Sequence, residues 1–301
     1  MNKVAIIGAG FAGLTAARLI GSTGATVTVF DKGRKPGGRL ATRRGEFSFN
    51  HGCQYASARD PGFLALLQEY GAQPWPDARK FAGVPDMASL AERAARALDI
   101  RLETQVVALE RNDIEWQLVM ANGPPVPADT LILAIPAPQA AMLLASTAHP
   151  FGDALAAVHL SPCWCVMLAF DGLVPGIDTL RLTEGPLSWI SRETSRPGEA
   201  SGPVRYTLHA APDWSTQHLM DDKEVVISAL SAAFAAATGI TTPAVHQAAH
   251  RWKYALADRP LGQPCLWDKG ARLGLCGDWC LDGKLEAAYL SGQAMAEQYS
   301  S

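Results

Sequence analysis

The turn Gly8-Ala9-Gly10-Phe11-Ala12-Gly13 constrains this chain more than any other stretch, because of what stands on either side of it. Before it, residues 3–7 form a nearly continuous apolar run, the pattern of a parallel strand covered on both faces. After it, Ala12, Ala16, Leu19 and Ile20 recur at helical spacing, and Gly24 closes the segment. A second strand is expected over 26–30, with Asp31 at its end, 23 residues after Gly8. In such a unit Gly8 permits the tight turn, Gly10 lets main chain approach a pyrophosphate, and Gly13 lets helix and strand pack closely. The helix start offers free N–H groups and a positive dipole end to phosphates, and the acid accepts bonds from a ribose. Strand, GxGxxG, helix and acid at this spacing read together as a dinucleotide site.

Two further stretches belong with it. Between 32 and 44 lie six basic residues (Lys32, Arg34, Lys35, Arg39, Arg43 and Arg44) and no acid. Within them, Gly37-Gly38 makes a second glycine turn that would carry Arg39 onto a pyrophosphate. Phe49-Asn50-His51-Gly52-Cys53-Gln54-Tyr55 then brings main chain close to a ring system. Far downstream, Leu273-Gly274-Leu275-Cys276-Gly277-Asp278 is an apolar strand ending in Gly-Asp. Glu286-Ala287-Ala288-Tyr289-Leu290-Ser291-Gly292 then opens a final helix.

Composition narrows the partners. The chain has 301 residues, with 48% hydrophobic and 18% charged, a globular balance that excludes intrinsic disorder. Lys and Arg number 26 against 29 Asp and Glu, so the basic excess expected of a nucleic-acid binder is missing. The longest apolar runs, 131–145 and 225–240, fall short of the ~20 residues of a membrane-spanning helix. No secretory leader pattern is visible, and a cytoplasmic location is expected. The six cysteines contain no CxxC and no zinc spacing, so they are expected to be reduced core thiols with no metal.

The chain resembles the flavin amine oxidase superfamily. In that superfamily GxGxxG, the acid and an xGGR element (here Pro36-Gly37-Gly38-Arg39) precede a (D/N)xGxQ(Y/F) segment (here Asn50 to Tyr55), and a Gly-Asp strand stands before a last helix. A protein that binds only NAD has no use for the second pair of motifs, so the resemblance implies FAD, held noncovalently. Within the superfamily the chain is most similar to the renalase group. The features that carry this are its length, 49–55, 187–192, His250-Arg251-Trp252-Lys253-Tyr254-Ala255, and Cys276-Gly277-Asp278 through Gly292. Asn50 departs from the acid common at its position, and no charge-based role is carried onto it.

The resemblance implies an α/β fold with a Rossmann-type FAD-binding domain from 1–60, 98–145 and 262–301. A discontinuous α+β substrate-binding domain would come from 61–97 and 146–261. Strands are expected over 101–110, 129–136, 163–170, 187–192 and 204–210, a helix over 222–237, and a loop over 195–203. The cofactor contacts implied are Gly8, Gly10, Phe11, Ala12, Gly13, Asp31, Lys32, Gly38, Arg39, Gly52, Cys53, Gln54, Tyr55, Val106, Gly277, Asp278, Glu286, Ala287, Ala288 and Ser291. Tyr55, Trp189, His246 and Trp252 are the candidate catalytic residues. Tyr254 is a further stacking candidate, and Arg181, Arg192 and Arg251 are candidate cationic contacts. Renalase-like chemistry implies oxidation of 2- or 6-dihydro isomers of NAD(P)H, with O2 as acceptor and H2O2 as product. An amine oxidase, with Lys253 near the flavin, and a redox-binding protein without turnover stay open beside it.

Overall fold

The computed structural model describes residues 2–301 except 113, 173, 175, 200 and 201. Its first layer is a six-stranded sheet in the order Leu266–Asp268, Leu273–Leu275, Thr130–Leu133, Lys3–Ile7, Thr26–Phe30, Asp99–Arg101. Every neighbouring pair is parallel except the outermost, Leu266–Asp268 against Leu273–Leu275. The apolar Val4, Ala5, Ile6 and Ile7 are buried because helices and a hairpin cover both faces. The first helix, Phe11–Gly21, lies on one face. The final helix, Leu285–Ser300, packs against it so closely that a Cβ at Gly292 would stand 2.4 Å from the Ala12 carbonyl oxygen.

The second layer is antiparallel, with five strands in the order Thr179–Arg181, Leu187–Arg192, Val204–Ala210, His159–Phe170, His246–Arg259. Strand alternation gives this sheet two different faces. Val166, Leu168, Ile190, Tyr206 and Leu208 form one, and pack on Val226, Leu230 and Phe234 of the helix Lys223–Thr238. Directly cross-strand neighbours Arg181, Trp189, His209, Cys165 and His250 make a row on the other. That second face meets residues 47–55 coming from the nucleotide end.

The expected strand over 101–110 divides in two. Asp99–Arg101 joins the parallel sheet, whereas Val106–Arg111 pairs with Trp116–Met120 in a separate antiparallel sheet. Between them Glu103 takes φ of 53°, and the Glu103 and Thr104 amides donate to the carbonyls of Gly33 and Asp31. A turn tied to the acid's own segment therefore replaces a straight run. The 129–136 strand is shorter, Thr130–Leu133, since Pro136 starts the helix Ala137–Leu144. The expected helix over 222–237 lies at Lys223–Thr238, closed by Gly239 at φ of 75°. Segment 61–97, expected with the substrate-binding part, buries Phe63, Leu67, Met87 and Leu90 in the same core as the first helix.

Candidate active site

Two glycine turns dock on each other to form one wall. The Gly37 amide donates to the Ala9 carbonyl at 2.8 Å, and Gly10 and Gly37 form a parallel bridge. Gly8 has φ of 111°, and a Cβ there would meet the Ala134 carbonyl oxygen at 2.5 Å. A Cβ at Gly13 would lie 2.1 Å from the Gly8 oxygen. At Gly10 the same atom would meet nothing within 4 Å, so this glycine opens a cradle beside its own main chain. Gly10 caps the first helix without a side-chain bond, which leaves the early amides at Phe11, Ala12 and Gly13 directed at the cradle. Asp31 is half-buried and already oriented, its two oxygens accepting from the Ala9 and Gly33 amides at 2.7 and 2.6 Å. Open backbone, free helix amides and a pre-set carboxylate fit a pyrophosphate and its ribose. Lys32 is exposed, and Val106 is buried at the start of its strand.

The chain's other end completes this wall. The Arg39 guanidinium bridges Asp278 Oδ1 at 2.5 Å and the Ala255 carbonyl at 3.0 Å, joining the second glycine turn, the Gly-Asp turn and the antiparallel sheet. Gly277 is required because a Cβ would stand 2.3 Å from the Trp279 indole nitrogen. Ser291, expected to contact cofactor, instead accepts from the Gly277 amide at 2.9 Å and donates to the Pro264 carbonyl at 2.6 Å. Glu286 likewise turns its carboxylate to the Arg59 and Asp60 amides. The Ala288 amide bonds Lys284, so the open amides at this helix start are those ahead of it, Glu286 and Ala287 among them. Small residues let the final helix approach; its polar side chains brace the turn.

The strip Asn50 to Tyr55 is gripped from both sides. A Cβ at Gly52 would lie 2.0 Å from the Arg39 carbonyl oxygen, and Cys53 donates its amide to that oxygen at 2.8 Å. From the sheet, Trp252 Nε1 donates to the His51 carbonyl at 2.9 Å, and His209 Nε2 stands 3.2 Å from the same oxygen. The His209 contact requires its proton on Nε2. Gln54 has its whole amide engaged: Oε1 accepts from Ser191 and Arg196 at 2.7 and 2.6 Å, and Nε2 donates to the carbonyls of Asn50 and Gly52. It fixes the strip's shape. Tyr55 and Trp189 meet edge to face at 5.6 Å, with Lys80 over the Tyr55 ring and Arg181 over Trp189. Arg181 also donates to the Tyr55 hydroxyl at 2.8 Å.

Several sequence candidates stand elsewhere. His246 packs on Phe47 and Phe49, four residues along the strand from His250, or about 13 Å at the usual rise. His250 is the histidine that gathers with His51 and Trp252, at ring distances of 4.9 and 4.3 Å. Arg192 pairs with Asp178, and Arg251 is exposed, bonding the Leu219 carbonyl. Lys253 is exposed, its ammonium over the Tyr254 ring, on the strand face opposite Trp252. Sequence reasoning gave no role to His209, or to the buried cluster Asn50, Glu193, Arg196 and Thr207 behind the strip. Loop 195–203 was expected only as a connection, yet Arg196 is 4% exposed. The sole sequence signal was a charged pair spaced i, i+3 after an apolar strand.

Electrostatics here are one-sided. Burial and cationic neighbours hold His51 at about 4, and burial holds His209 at about 4; burial also lowers His250. All six cysteines are free and pushed up by burial, Cys53 to about 11, so none is a ready thiolate. Among the described residues no three His, Cys, Asp or Glu side chains are grouped to hold a metal ion. No described helix is long and apolar enough to cross a membrane. A groove of about 900 Å³ lined by Arg18, Tyr70, Arg93 and Arg96 holds none of the sequence candidates.

Comparison with known proteins matches two family models, an NAD(P)-binding Rossmann-like domain over residues 6–70 and flavin containing amine oxidoreductase over residues 83–298. Among solved structures, a protein from Exiguobacterium sp. 255-15 assigned as a protoporphyrinogen oxidase superposes with a TM-score of 0.77. It shares 16% identity, with 98% of each chain covered. A putrescine oxidase variant redesigned in cofactor binding gives 0.75 at 13% identity and 99% of each chain, and putrescine oxidase bound to putrescine gives 0.71 at 14% and 98%. At these identities the superpositions show a shared fold.

Proposed function

The chain belongs to the flavin containing amine oxidoreductase family, and from that premise we propose that this FAD-dependent oxidoreductase oxidises 2- or 6-dihydro isomers of NAD(P)H to NAD(P)+. FAD, when bound, would supply two-electron, hydride-accepting chemistry, with O2 as the final acceptor and H2O2 as product. Gly10, the first helix's early amides, Asp31, Gly38 and Arg39 would hold its adenosine and pyrophosphate. Asp278, the start of the final helix, and the strip Gly52 to Tyr55 would hold the ribityl chain and ring.

The observation that carries the substrate reading is the charge of the sheet face opposite that strip. It presents Arg181, Trp189, His209, His250 and Trp252, and among the described residues its one buried carboxylate, Glu193, is paired with Arg196 at 2.9 Å. An anionic dinucleotide suits such a surface. A protonated amine would lose its hydration beside cations, with no free carboxylate to replace it. The aromatic faces that would cage an amine are covered by Lys80 and Arg181. A dihydropyridine also becomes aromatic on losing hydride, so the chain has only to orient it. His51 and His209 are held neutral and far below the basicity a general base needs at neutral pH.

Anaerobic mixing of the yellow protein with chemically reduced NAD mixtures tests this. Rapid bleaching by the 2- or 6-dihydro isomers and none by putrescine or monoamines is expected. Bleaching by amines alone would overturn the reading in favour of an amine oxidase.

A further inference from the structure

Arg196 and Glu193 are a charge pair with side chains 2% and 1% exposed. Placing two such ions in an interior costs several kcal/mol each, and apolar residues of similar size often serve stability as well. Most of the hydrogen bonds the pair makes to other residues go to one strip of chain. Arg196 donates to the Gln54 carbonyl and Oε1 at 2.7 and 2.6 Å and lies 3.8 Å over the Trp75 ring. Glu193 accepts from the Asn50 amide at 3.1 Å, from Asn50 Nδ2 at 2.8 Å, and from the Thr207 hydroxyl. Asn50 Oδ1 in turn accepts from Met87 N and Thr42 Oγ1. Fixed dipoles thus solvate both charges, and with little water nearby their field on the strip is weakly screened. That field reaches Cys53, whose other charged neighbours are Arg39 and Asp278 on the opposite wall.

We propose that Glu193 and Arg196 are positioning residues that set the reduction potential of the bound flavin through the strip Asn50 to Tyr55. The inference rests on the reading that this strip lies against the flavin ring. Reduction adds negative charge to that ring, so the balance between the buried cation and its partner anion biases how readily it is reduced. Removing the anion alone leaves Arg196 unopposed, because a guanidinium does not release its proton. Keeping both charges while removing the fork leaves the potential in place and loosens Gln54, since an ammonium cannot make the same paired contact.

The test uses purified holoprotein, titrated anaerobically with dithionite against a reference dye, so no substrate enters. E193Q should remain yellow with a higher midpoint potential than wild type, its reduced-to-oxidised ratio raised several-fold at a given potential. R196K should keep the wild-type potential and release FAD several-fold faster on dilution. If both variants lose thermal stability while neither potential nor release rate moves, the pair is merely structural and the proposal is overturned. A potential that shifts in R196K as it does in E193Q overturns it too. Should E193Q fail to fold, the R196K release rate decides: an unchanged rate is the contrary result. Failure of the substrate reading would look different, as a yellow protein with the expected potentials that dihydro isomers of NAD(P)H do not bleach.

Discussion

The two walls of this pocket are built on different principles. The parallel-sheet wall offers main chain, and its glycines stand where a Cβ would strike a neighbour or close the cradle. The antiparallel-sheet wall offers side chains. Its Trp, His, Arg and Glu groups come from strands far apart in sequence and meet only when the sheet forms. Backbone recognition tolerates little substitution at the turns and much around them. Side-chain recognition is fixed by buried polar partners, each of which fails when its mate is removed.

The comparison can be broken most severely at the joint where the walls touch. Asp278→Ala removes the partner of Arg39 and the carboxylate expected on the ribityl chain, and should purify almost free of flavin. Visible absorbance per chain is the measurement, and wild-type content would defeat the assignment. On the side-chain wall, Arg196→Met strands the Glu193 carboxylate in the interior. It should lower unfolding free energy by about 3–5 kcal/mol in denaturant titrations. Asn50→Asp acts in the same direction, placing two carboxylates in hydrogen-bond contact.

Acid sharpens the difference between the walls, because the buried histidines His209 and His51 meet where the side-chain wall grips the strip. His51 and His209 titrate at about 4 in the folded protein against an ordinary value of 6.5. Between those values the unfolded chain binds more protons than the native one. Their stabilisation is therefore complete above about pH 6.5 and lost as the pH falls towards 4, on the order of 3 kcal/mol for each ring. Denaturation midpoints across that window should fall in wild type and fall less steeply in His209→Asn. The smallest effect is expected at Lys253, which faces away from the strip. Lys253→Met should leave flavin reduction within about twofold and stability within ~0.5 kcal/mol, and a tenfold loss would return that lysine to the active site.

How much of this was legible in the sequence follows the same division. Main-chain recognition leaves glycines at fixed spacings, so the GxGxxG turn, Gly37-Gly38 and Gly277-Asp278 can be read from the letters. The helix Lys223–Thr238 and the strands Leu187–Arg192 and Val204–Ala210 stand close to where the resemblance placed them. The side-chain wall leaves no such trace. His250 and His246 look alike in sequence, and register alone decides that one joins His51 while the other packs on Phe49. Arg196 falls in a stretch expected only as a loop and Glu193 drew no reading, because nothing local announces that Asn50 and Gln54 will meet them from 143 and 142 residues away. The departure at Asn50 becomes intelligible with its partner in view. Facing Glu193, an amide donates where an acid would repel.

The seating of the final helix against the first fixes an order of events in the making of this protein. The glycine turn at residues 8–13 leaves the ribosome well before the Gly-Asp turn at 277–278 and the helix Leu285–Ser300 that roofs it. At about 5–20 residues per second, roughly fifteen to fifty-five seconds of synthesis separate the two. During that interval a nascent chain owns half a cofactor site. A flavin held by both turns therefore waits for the second of them, and a stop codon placed between the two would leave a finished glycine turn with nothing to close over it.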